Sequence, residues 1–328
     1  PLLRPALVGA ALLTFTAALA SFSAPYIFGG GYRVLPTQIL ATRLNGDYAL
    51  SMVETVALTL LALVALGLST RVGPDAATTG GKGAAPARAI GGRTGILVSV
   101  LGWGLAVFLL LPHATLLLLS FVPLATWTTQ ALPPVYSVAN YVMVAHEPTR
   151  LLPLLNSLWM AVAATVLSVG IAVLSGVLIV RRRVRGRGLI ETLLATPWAV
   201  PGTVFALALA TAFSVREPWA ARMVLVGTIW ILPLAYLIRD LPVTSRPVLT
   251  GFRQLDPTLD DAAAALGADR WTTWRRVILP LLRPAIAAGA ALAFVVALGD
   301  FVTSILLYTY DSRPMSLEIL SSLRDGDV

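Results

Sequence analysis

Apolar residues in this chain lie in long uninterrupted blocks rather than in the short periodic stripes of a soluble core. The charge-poor blocks cover residues 5–24, 49–70, 95–123, 156–180, 189–213, 222–239 and 284–308. About 20 consecutive apolar residues are needed for a helix to cross a bilayer. The pattern therefore predicts an all-α, polytopic bundle with one transmembrane helix in each block.

The positions of the arginines predict how these helices are oriented. Residues 181–188 contain no acid and five arginines, namely Arg181, Arg182, Arg183, Arg185 and Arg187. Cytoplasmic loops are enriched in Lys and Arg, so this segment is predicted to lie inside, together with 71–93 and 240–283. With the flanking Arg4 and Arg239, the inner segments hold 17 of the 24 Lys and Arg residues. The bias supports this orientation.

The composition excludes several classes of protein. With 57% hydrophobic and 12% charged residues, the chain is neither an ordinary soluble domain nor a disordered one. It has no cysteine, which excludes disulfides, Cys-based metal sites and thiol nucleophiles. The formal charge of +8 is spread over three loops rather than one patch. We therefore attribute it to membrane topology and predict no nucleic-acid partner.

The segment 71–93 is rich in glycine and small polar residues and is predicted to be a flexible cytoplasmic linker. Its Gly81-Lys82 pair is the one feature that resembles a phosphate-binding loop. However, Ala76 stands where the first glycine of such a loop belongs, and Gly83 follows the lysine. We therefore expect this chain to bind no ATP and to need no cofactor.

An internal repeat divides the chain. Residues 1–6 read PLLRPA, and residues 280–285 repeat this hexapeptide 279 positions later. The match continues, since Phe22 aligns with Phe301 and Ser21 with Asp300. Apolar helices can resemble each other by composition alone, but a shared hexapeptide with two prolines favours a duplication. We expect two truncated halves of a duplicated permease-like chain. Residues 1–70 would be the last two helices of the first half, and residues 71–93 the linker. Residues 94–328 would be the second half without its final helix.

The segment 251–283 is predicted to form two short helices that protrude into the cytoplasm. Asp256 suits an N-cap and Pro257 the first helical position, and Gly267 suits the left-handed stop after the alanine run. Asp269 can cap a second helix, which Pro280 is expected to break. An amphipathic hairpin lying on the membrane surface is the alternative interpretation of this pattern.

One motif in this segment resembles that of a known family. Asp261-Ala262-Ala263, three residues, Gly267, nine residues and Val277-Ile278-Leu279-Pro280 resemble the EAA loop of type I ABC importer permeases. That pattern reads Glu-Ala-Ala, three residues, Gly, nine residues, Ile, one residue and Leu-Pro. The two departures, Asp261 for Glu and Val277 for Ile, keep charge or shape.

The resemblance implies a MetI-like fold and a function in transport. The chain would be a non-enzymatic permease subunit in the inner membrane, with ABC ATPase subunits and an extracytoplasmic substrate-binding protein as partners. ATP hydrolysis would then occur on the partner. The loop that couples the two would comprise Asp256, Pro257, Asp261, Ala262, Ala263, Gly267, Val277, Leu279 and Pro280.

A narrower resemblance concerns the substrate. Fused halves, the segment 23–31, and Ser304–Tyr308 followed by 313–316 are similar to the ferric-iron importer permeases. This similarity implies ferric iron as the substrate. Thiamine and phosphonate importers remain alternatives, because their fused permeases look much alike, and a polyamine importer is a further alternative.

Several residues in the apolar blocks are candidates for the translocation pathway. An acid within a membrane helix normally faces a cavity or a partner, so Asp300 is either a pathway residue or a charge at the outer interface. Prolines and glycines interrupt a helix where protein or a water-filled cavity receives the freed carbonyls. The candidates are Ser21, Phe22, Pro197, Pro201, Gly202, Asp300 and Phe301.

Other chemistry receives little support from the sequence. His113 and His146 are the only histidines, and no metal-ligand spacing joins them, so we predict no metal site. The chain carries no hydrolase or protease motif, so we also predict no catalytic residue. An ion-coupled secondary transporter is the second hypothesis, although it would need more buried titratable groups. A membrane enzyme is the third.

Overall fold

The computed structural model of the protein describes residues 11, 14–15, 17–72, 92–123, 133–216 and 218–325. These residues form helices, turns and loops, with no strand among them, which confirms the all-α class. The chain divides into two compact units, residues 1–73 with 153–320 and residues 74–152 with 321–328. The first hexapeptide copy and most of the predicted linker 71–93 lie outside the described residues.

The helices have the following bounds. In the first part of the chain they are α1 Ser23–Phe28, α2 Leu35–Leu44, α3 Tyr48–Val72, α4 Gly92–Leu119, α5 Ala139–His146 and α6 Pro148–Gly176. A π-helical turn, Val177–Arg181, extends α6 and is followed by α7 Arg187–Ala195, α8 Gly202–Ala212 and α9 Ile231–Gln254. The rest are α10 Thr258–Ala265, α11 Arg270–Thr273, a π-helical turn Trp274–Ile278, α12 Leu279–Leu298, α13 Val302–Leu307 and α14 Met315–Asp325.

Four helical segments among the described residues are long and apolar enough to cross a membrane. They are Tyr48–Ala65, Gly92–Leu119, Pro148–Arg181 and Arg270–Leu298. A fifth candidate, Arg187–Trp198 with Gly202–Ala212, is bent by 107°. These segments correspond to predicted blocks 49–70, 95–123, 156–180, 284–308 and 189–213, so the protein is a multi-pass membrane protein. Block 5–24 is described only at residues 11, 14–15 and 17–24.

Block 222–239 differs most from the prediction. Residues 222–230 are not helical, and α9 begins at Ile231 and continues to Gln254. Gly227 takes a left-handed conformation just before it, with φ at +85°. The helix continues past Arg239, and Asp240 next to it is buried within the protein.

The prediction that Pro280 breaks the helix is wrong. A continuous helical segment runs from Arg270 to Leu298, with Pro280 in the first turn of α12. Proline normally disrupts a helix because it has no N–H and its ring meets a carbonyl of the preceding turn. Here the preceding turn, Trp274–Ile278, is a wider π-helical one, which accommodates the ring.

The core of the larger unit joins five helices. Residues from α6, α8, α9, α12 and α13 pack together, including Met160, Ala206, Tyr236, Ala297 and Leu307. A separate apolar cluster, which includes Val248, Phe252, Ile278 and Leu282, surrounds the end of α9. Through Ile278 and Leu282, this cluster packs the second part of the segment 251–283 against α9.

The internal repeat is visible in the helix bounds. Adding the offset of 279 to α1, Ser23–Phe28, gives residues 302 and 307, which are the bounds of α13, Val302–Leu307. Phe22 and Phe301 precede these helices with similar backbone angles, φ −114° and −103°. Each apolar helix is therefore interrupted at the same place of the repeat and resumes as a short helix.

The smaller unit contains α4 and α5. The two helices are joined through Asn140, whose amide donates to the carbonyls of Ser120 and Val122 at 3.1 and 3.0 Å. The Tyr141 hydroxyl lies 2.7 Å from that of Ser120. No residue of α4 is buried in this unit, as expected of an apolar helix that faces lipid.

Candidate functional site

The first candidate site is the segment 251–283, and its first helix begins one residue later than predicted. Thr258 is the first residue of α10, so Pro257 rather than Asp256 occupies the cap position. Asp256 still acts as a cap, because its Oδ1 accepts from the Thr258 amide at 2.9 Å and the Thr258 hydroxyl at 2.8 Å. These bonds hold the pKa of the Asp256 carboxyl below its usual value.

The predicted stop of α10 at Gly267 is confirmed. Gly267 has φ at +80°, a conformation that glycine adopts without steric cost. Its amide donates to the Ala264 carbonyl at 2.9 Å, and the Ala268 amide donates to the Ala263 carbonyl at 3.0 Å. This pair of bonds is a Schellman motif, which satisfies the last carbonyls of the helix. The C-terminal end of α10, at the tip of the segment, is therefore capped by hydrogen bonds.

The second arm of the segment, which comprises α11 and the π-helical turn after it, begins where the sequence predicts it. The Asp269 carboxylate accepts from the Thr272 amide at 3.1 Å, and hydrogen bonds from Thr272 lower the pKa of Asp269. Further along, Trp274 stacks on Phe252, with ring centroids 6.2 Å apart. The arm therefore packs onto the end of α9 through an aromatic contact.

The residues of the predicted coupling loop differ in how exposed they are. Asp261 and Ala262 are exposed, but Ala263 is buried beneath them. Leu266 is 89% exposed, and Trp271 is exposed as well. The small and apolar side chains available to a partner are thus those around Ala262 and Leu266, and Ala263 supports α10 from inside. Val277, Leu279 and Pro280 are half-buried.

Two ion pairs hold the segment to the membrane helices. Arg181, at the end of the π-helical turn after α6, donates to Asp260 of α10 at 2.6 Å. Arg253, in the last turn of α9, donates to Glu191 of α7 at 2.6 Å. Neither pair could be predicted from the sequence, because 79 and 62 positions separate the partners, and opposite charges alone do not identify a distant partner.

The second candidate site lies at the interrupted helix between α12 and α13. The Asp300 carboxylate accepts from the Thr303 amide at 2.8 Å and the Thr303 hydroxyl at 3.1 Å. The Ser304 amide donates to it at 3.3 Å. A carboxylate is favourable there, because the first amides of a helix point toward it.

Asp300 also has a cationic partner. The Arg239 Nε lies 3.6 Å from the Asp300 Oδ2, and both side chains are largely removed from solvent. Gly202 makes room for this arginine, because a Cβ there would stand 2.9 Å from the Arg239 Nη1 and 3.1 Å from Val302. From the sequence, Arg239 is predicted only to flank a membrane helix, and its pairing with Asp300 is not indicated.

The repeat partners Phe22 and Phe301 meet in the structure. Their ring centroids lie 6.1 Å apart, and Tyr26 stacks on Phe22 at 5.1 Å. Leu40, Leu317 and Leu320 complete this cluster. Both phenylalanines are buried, so the two interrupted helices are joined through an apolar contact. Ser21 is half-buried beside it.

Pro197 and Pro201 lie at the bend between α7 and α8. Both are buried, and residues 196–198 form a 3-10 turn before the chain enters α8 at Gly202. The structure therefore brings Gly202, Arg239 and Asp300 together, and separately Phe22 and Phe301. The two prolines precede Gly202 at the bend that leads into α8.

Comparison with known proteins identifies the family. Residues 168–325 match the family described as binding-protein-dependent transport system inner membrane component. The sulfate transport system permease protein CysT of Escherichia coli is 31% identical over 199 residues, which cover 58% of this chain and 72% of CysT. The chain belongs to this family of ABC transporter permeases. The resemblance to ABC transporter permeases is thereby confirmed at the level of the family.

Other relatives are longer than this chain. A probable ABC transporter permease protein, y4fN of Sinorhizobium fredii, is 31% identical over 100% of this chain and 58% of its own length. The ferric transport system permease protein FbpB of Actinobacillus pleuropneumoniae is 28% identical over 100% of this chain and 47% of its own length. The chain thus spans about half the length of these permeases.

A solved structure supports the fold. The crystal structure of a bacterial ABC transporter involved in the import of the acidic polysaccharide alginate matches with a TM-score of 0.54 and 19% identity. The match covers 73% of this permease and 84% of that chain. At this identity the likeness concerns the fold, which is confirmed as that of an ABC transporter permease.

Proposed function

We propose that this permease forms the translocation pathway of an ATP-driven importer and couples to a separate ATPase through the segment 251–283. The observation that carries the proposal is the exposed tip of α10. Asp261, Ala262 and Leu266 project from a helix whose two ends are capped and whose inner face packs on the protein. Small side chains allow another backbone to approach closely, and Leu266 offers an apolar anchor.

The ion pairs suit this segment to transmit movement. A docked subunit that pulled on α10 would move Arg181 at the end of α6, because Asp260 binds it at 2.6 Å. It would also move α9, on which Trp274 packs through Phe252. Family membership favours this coupling over ion-coupled secondary transport. In this proposal an extracytoplasmic binding protein delivers the substrate, and the complex lies in the inner membrane.

The interrupted helices are the proposed pathway. Asp300 and Phe301 in one half, with Ser21 and Phe22 in the other, lie where an apolar helix stops and resumes. Transporters built from repeated halves place their substrate near the interface of the halves, at interrupted helices. The proposed halves are residues 1–70 and 94–328, joined by 71–93.

We propose ferric iron as the substrate, in agreement with the similarity to a ferric transport permease. Sulfate is the second candidate, because a sulfate permease is 31% identical to this chain. Thiamine, phosphonate and polyamines remain further alternatives. Uptake of radiolabelled ferric iron, with each other compound as unlabelled competitor, tests this assignment. Loss of sulfate uptake with unchanged iron uptake in a permease deletion would contradict it.

Docking is tested with Leu266→Glu in the full-length permease, coexpressed with its ATPase. A buried charge at the interface should reduce copurification of the ATPase by at least about tenfold, while membrane insertion and yield stay unchanged. Tyr310→Glu is the matched control, because Tyr310 is also almost fully exposed, at 91%, but lies in a segment predicted outside. Normal copurification and uptake with Leu266→Glu would show that the docking proposal is wrong.

A further inference from the structure

Four exposed arginines follow directly after a membrane-spanning helix. The helical segment Pro148–Arg181 is long and apolar enough to cross the bilayer, and the chain then turns back toward α7. Among residues 182–187 the arginines are Arg182, Arg183, Arg185 and Arg187, all of them exposed. None of the four forms an ion pair with any residue that the structure describes, whereas Arg181 is paired with Asp260.

Hydrogen bonds fix the backbone of this turn, whereas its four arginine side chains form no ion pair with the described residues. The Arg182 amide donates to the Val177 carbonyl at 2.8 Å, and the Val184 amide donates to Leu178 at 3.1 Å. Arg183 has φ at +48° and Gly186 has φ at +83°, so the turn reverses sharply within a few residues. The guanidinium groups are therefore concentrated at one end of α6.

The helix that follows presents apolar side chains on its outer face. Ile190 and Leu194 pack inward against Leu249 and its neighbours. Leu189 and Leu193, one turn apart, are 65% and 60% exposed. Because α7 begins six positions after Arg181, its start lies near the membrane boundary. Exposed leucines beside a group of arginines at that boundary are typical of an interfacial amphipathic helix.

We propose that the four arginines and the outer face of α7 bind the headgroups of anionic phospholipids. Guanidinium groups bind phosphate oxygens with two parallel hydrogen bonds, and basic residues next to a membrane helix attract anionic headgroups. Leu189 and Leu193 would then contact the first methylenes of the acyl chains. The inference rests on membrane insertion and does not depend on the proposed transport function.

A protein partner is the competing occupant of this surface. The segment proposed for docking onto the ATPase, however, is a separate surface, formed by Asp261, Ala262 and Leu266 of α10. Continuity with the α6 membrane span and charge complementarity both favour lipid. A change in ATPase binding without a change in lipid affinity would instead indicate a protein partner.

The test measures lipid affinity of the full-length permease complex by native mass spectrometry. Dioleoylphosphatidylglycerol and dioleoylphosphatidylcholine, which share acyl chains, are titrated separately. The variant replaces the four arginines, as Arg182→Gln, Arg183→Gln, Arg185→Gln and Arg187→Gln. The control carries Arg216→Gln and Arg222→Gln, which are exposed but lie in or beside the segment predicted outside.

We expect the four-residue variant to bind phosphatidylglycerol at least about tenfold more weakly, with unchanged phosphatidylcholine affinity and unchanged ATPase content. Added salt should reduce the difference between variant and wild type. Free inorganic phosphate at millimolar concentration should displace no lipid. Equal phosphatidylglycerol affinity in the variant and in the control would overturn the proposal. Loss of the ATPase with unchanged lipid affinity would also overturn it, in favour of a protein partner.

Discussion

At Gly176, α6 closely approaches Phe252 near the end of α9, and Gly176→Ala tests that packing. A Cβ at Gly176 would stand 2.2 Å from Cδ2 and 2.3 Å from Cε2 of Phe252. Carbon atoms in contact are normally about 3.5–4.0 Å apart, so the ring would have to move by more than about 1 Å. The ring is only 1% exposed and stacks on Trp274, which leaves it little space.

The expected cost follows from two opposing terms. Overpacking of a well-packed core costs about 1–3 kcal/mol, while replacing glycine by alanine within a helix gains about 0.5–1 kcal/mol. We expect Gly176→Ala to lower the free energy of unfolding by about 1–2 kcal/mol. Gly170→Ala in the same helix is the control, because no atom outside α6 lies within 4 Å of a Cβ there. It should be neutral or stabilising.

The assay is unfolding of the purified permease in mixed micelles by SDS, followed by tryptophan fluorescence. Adding Phe252→Leu to Gly176→Ala should recover part of the loss, because the smaller side chain vacates the space of the ring edge. Identical shifts for Gly176→Ala and Gly170→Ala would refute the reasoning. Absence of rescue by Phe252→Leu would indicate that strain elsewhere in α6 carries the effect.

Three further predictions concern the charged pairs and the tip of α10. Asp300→Asn and Arg239→Gln should show a coupling free energy of about 1–2 kcal/mol in a double-mutant cycle of SDS unfolding, whereas additive effects would contradict the ion pair. Asp300→Asn should also reduce uptake while ATPase copurification persists. Arg181→Gln should speed proteolysis of the segment 251–283, because it removes the ion pair with Asp260. The exchange Arg181→Asp with Asp260→Arg should restore protection. Unchanged proteolysis of Arg181→Gln would argue that this ion pair does not hold the segment. Gly267→Ala should cost about 1–2 kcal/mol in local stability, measured as faster amide hydrogen exchange in α10, and equal exchange rates would exclude a strained left-handed position.

Local features of the candidate sites could be predicted from the sequence. The stop at Gly267 and the cap at Asp269 depend on residues within a few positions of each other, and the structure contains both. The burial of Ala263 could not be predicted, because Ala262 and Ala263 have the same side chain and differ only in the direction they face. The partners of Asp300 and Asp260 were missed for a similar reason, since neither Arg239 nor Arg181 is near them in the chain.

The sequence by itself determined that this is a helical membrane protein, because long apolar blocks are a property of the chain read in order. The repeated hexapeptide, also a property of that order, supports the proposed duplication. It also determined where α10 stops, because the left-handed position at Gly267 is a local preference. Only the tertiary structure decided that α9 continues past Arg239 and that the helix passes through Pro280. Both outcomes depend on neighbours: Asp240 is buried by surrounding helices, and a π-helical turn makes room for the proline. A hydropathy scale misses both effects, because it assigns each residue one value whatever that residue contacts.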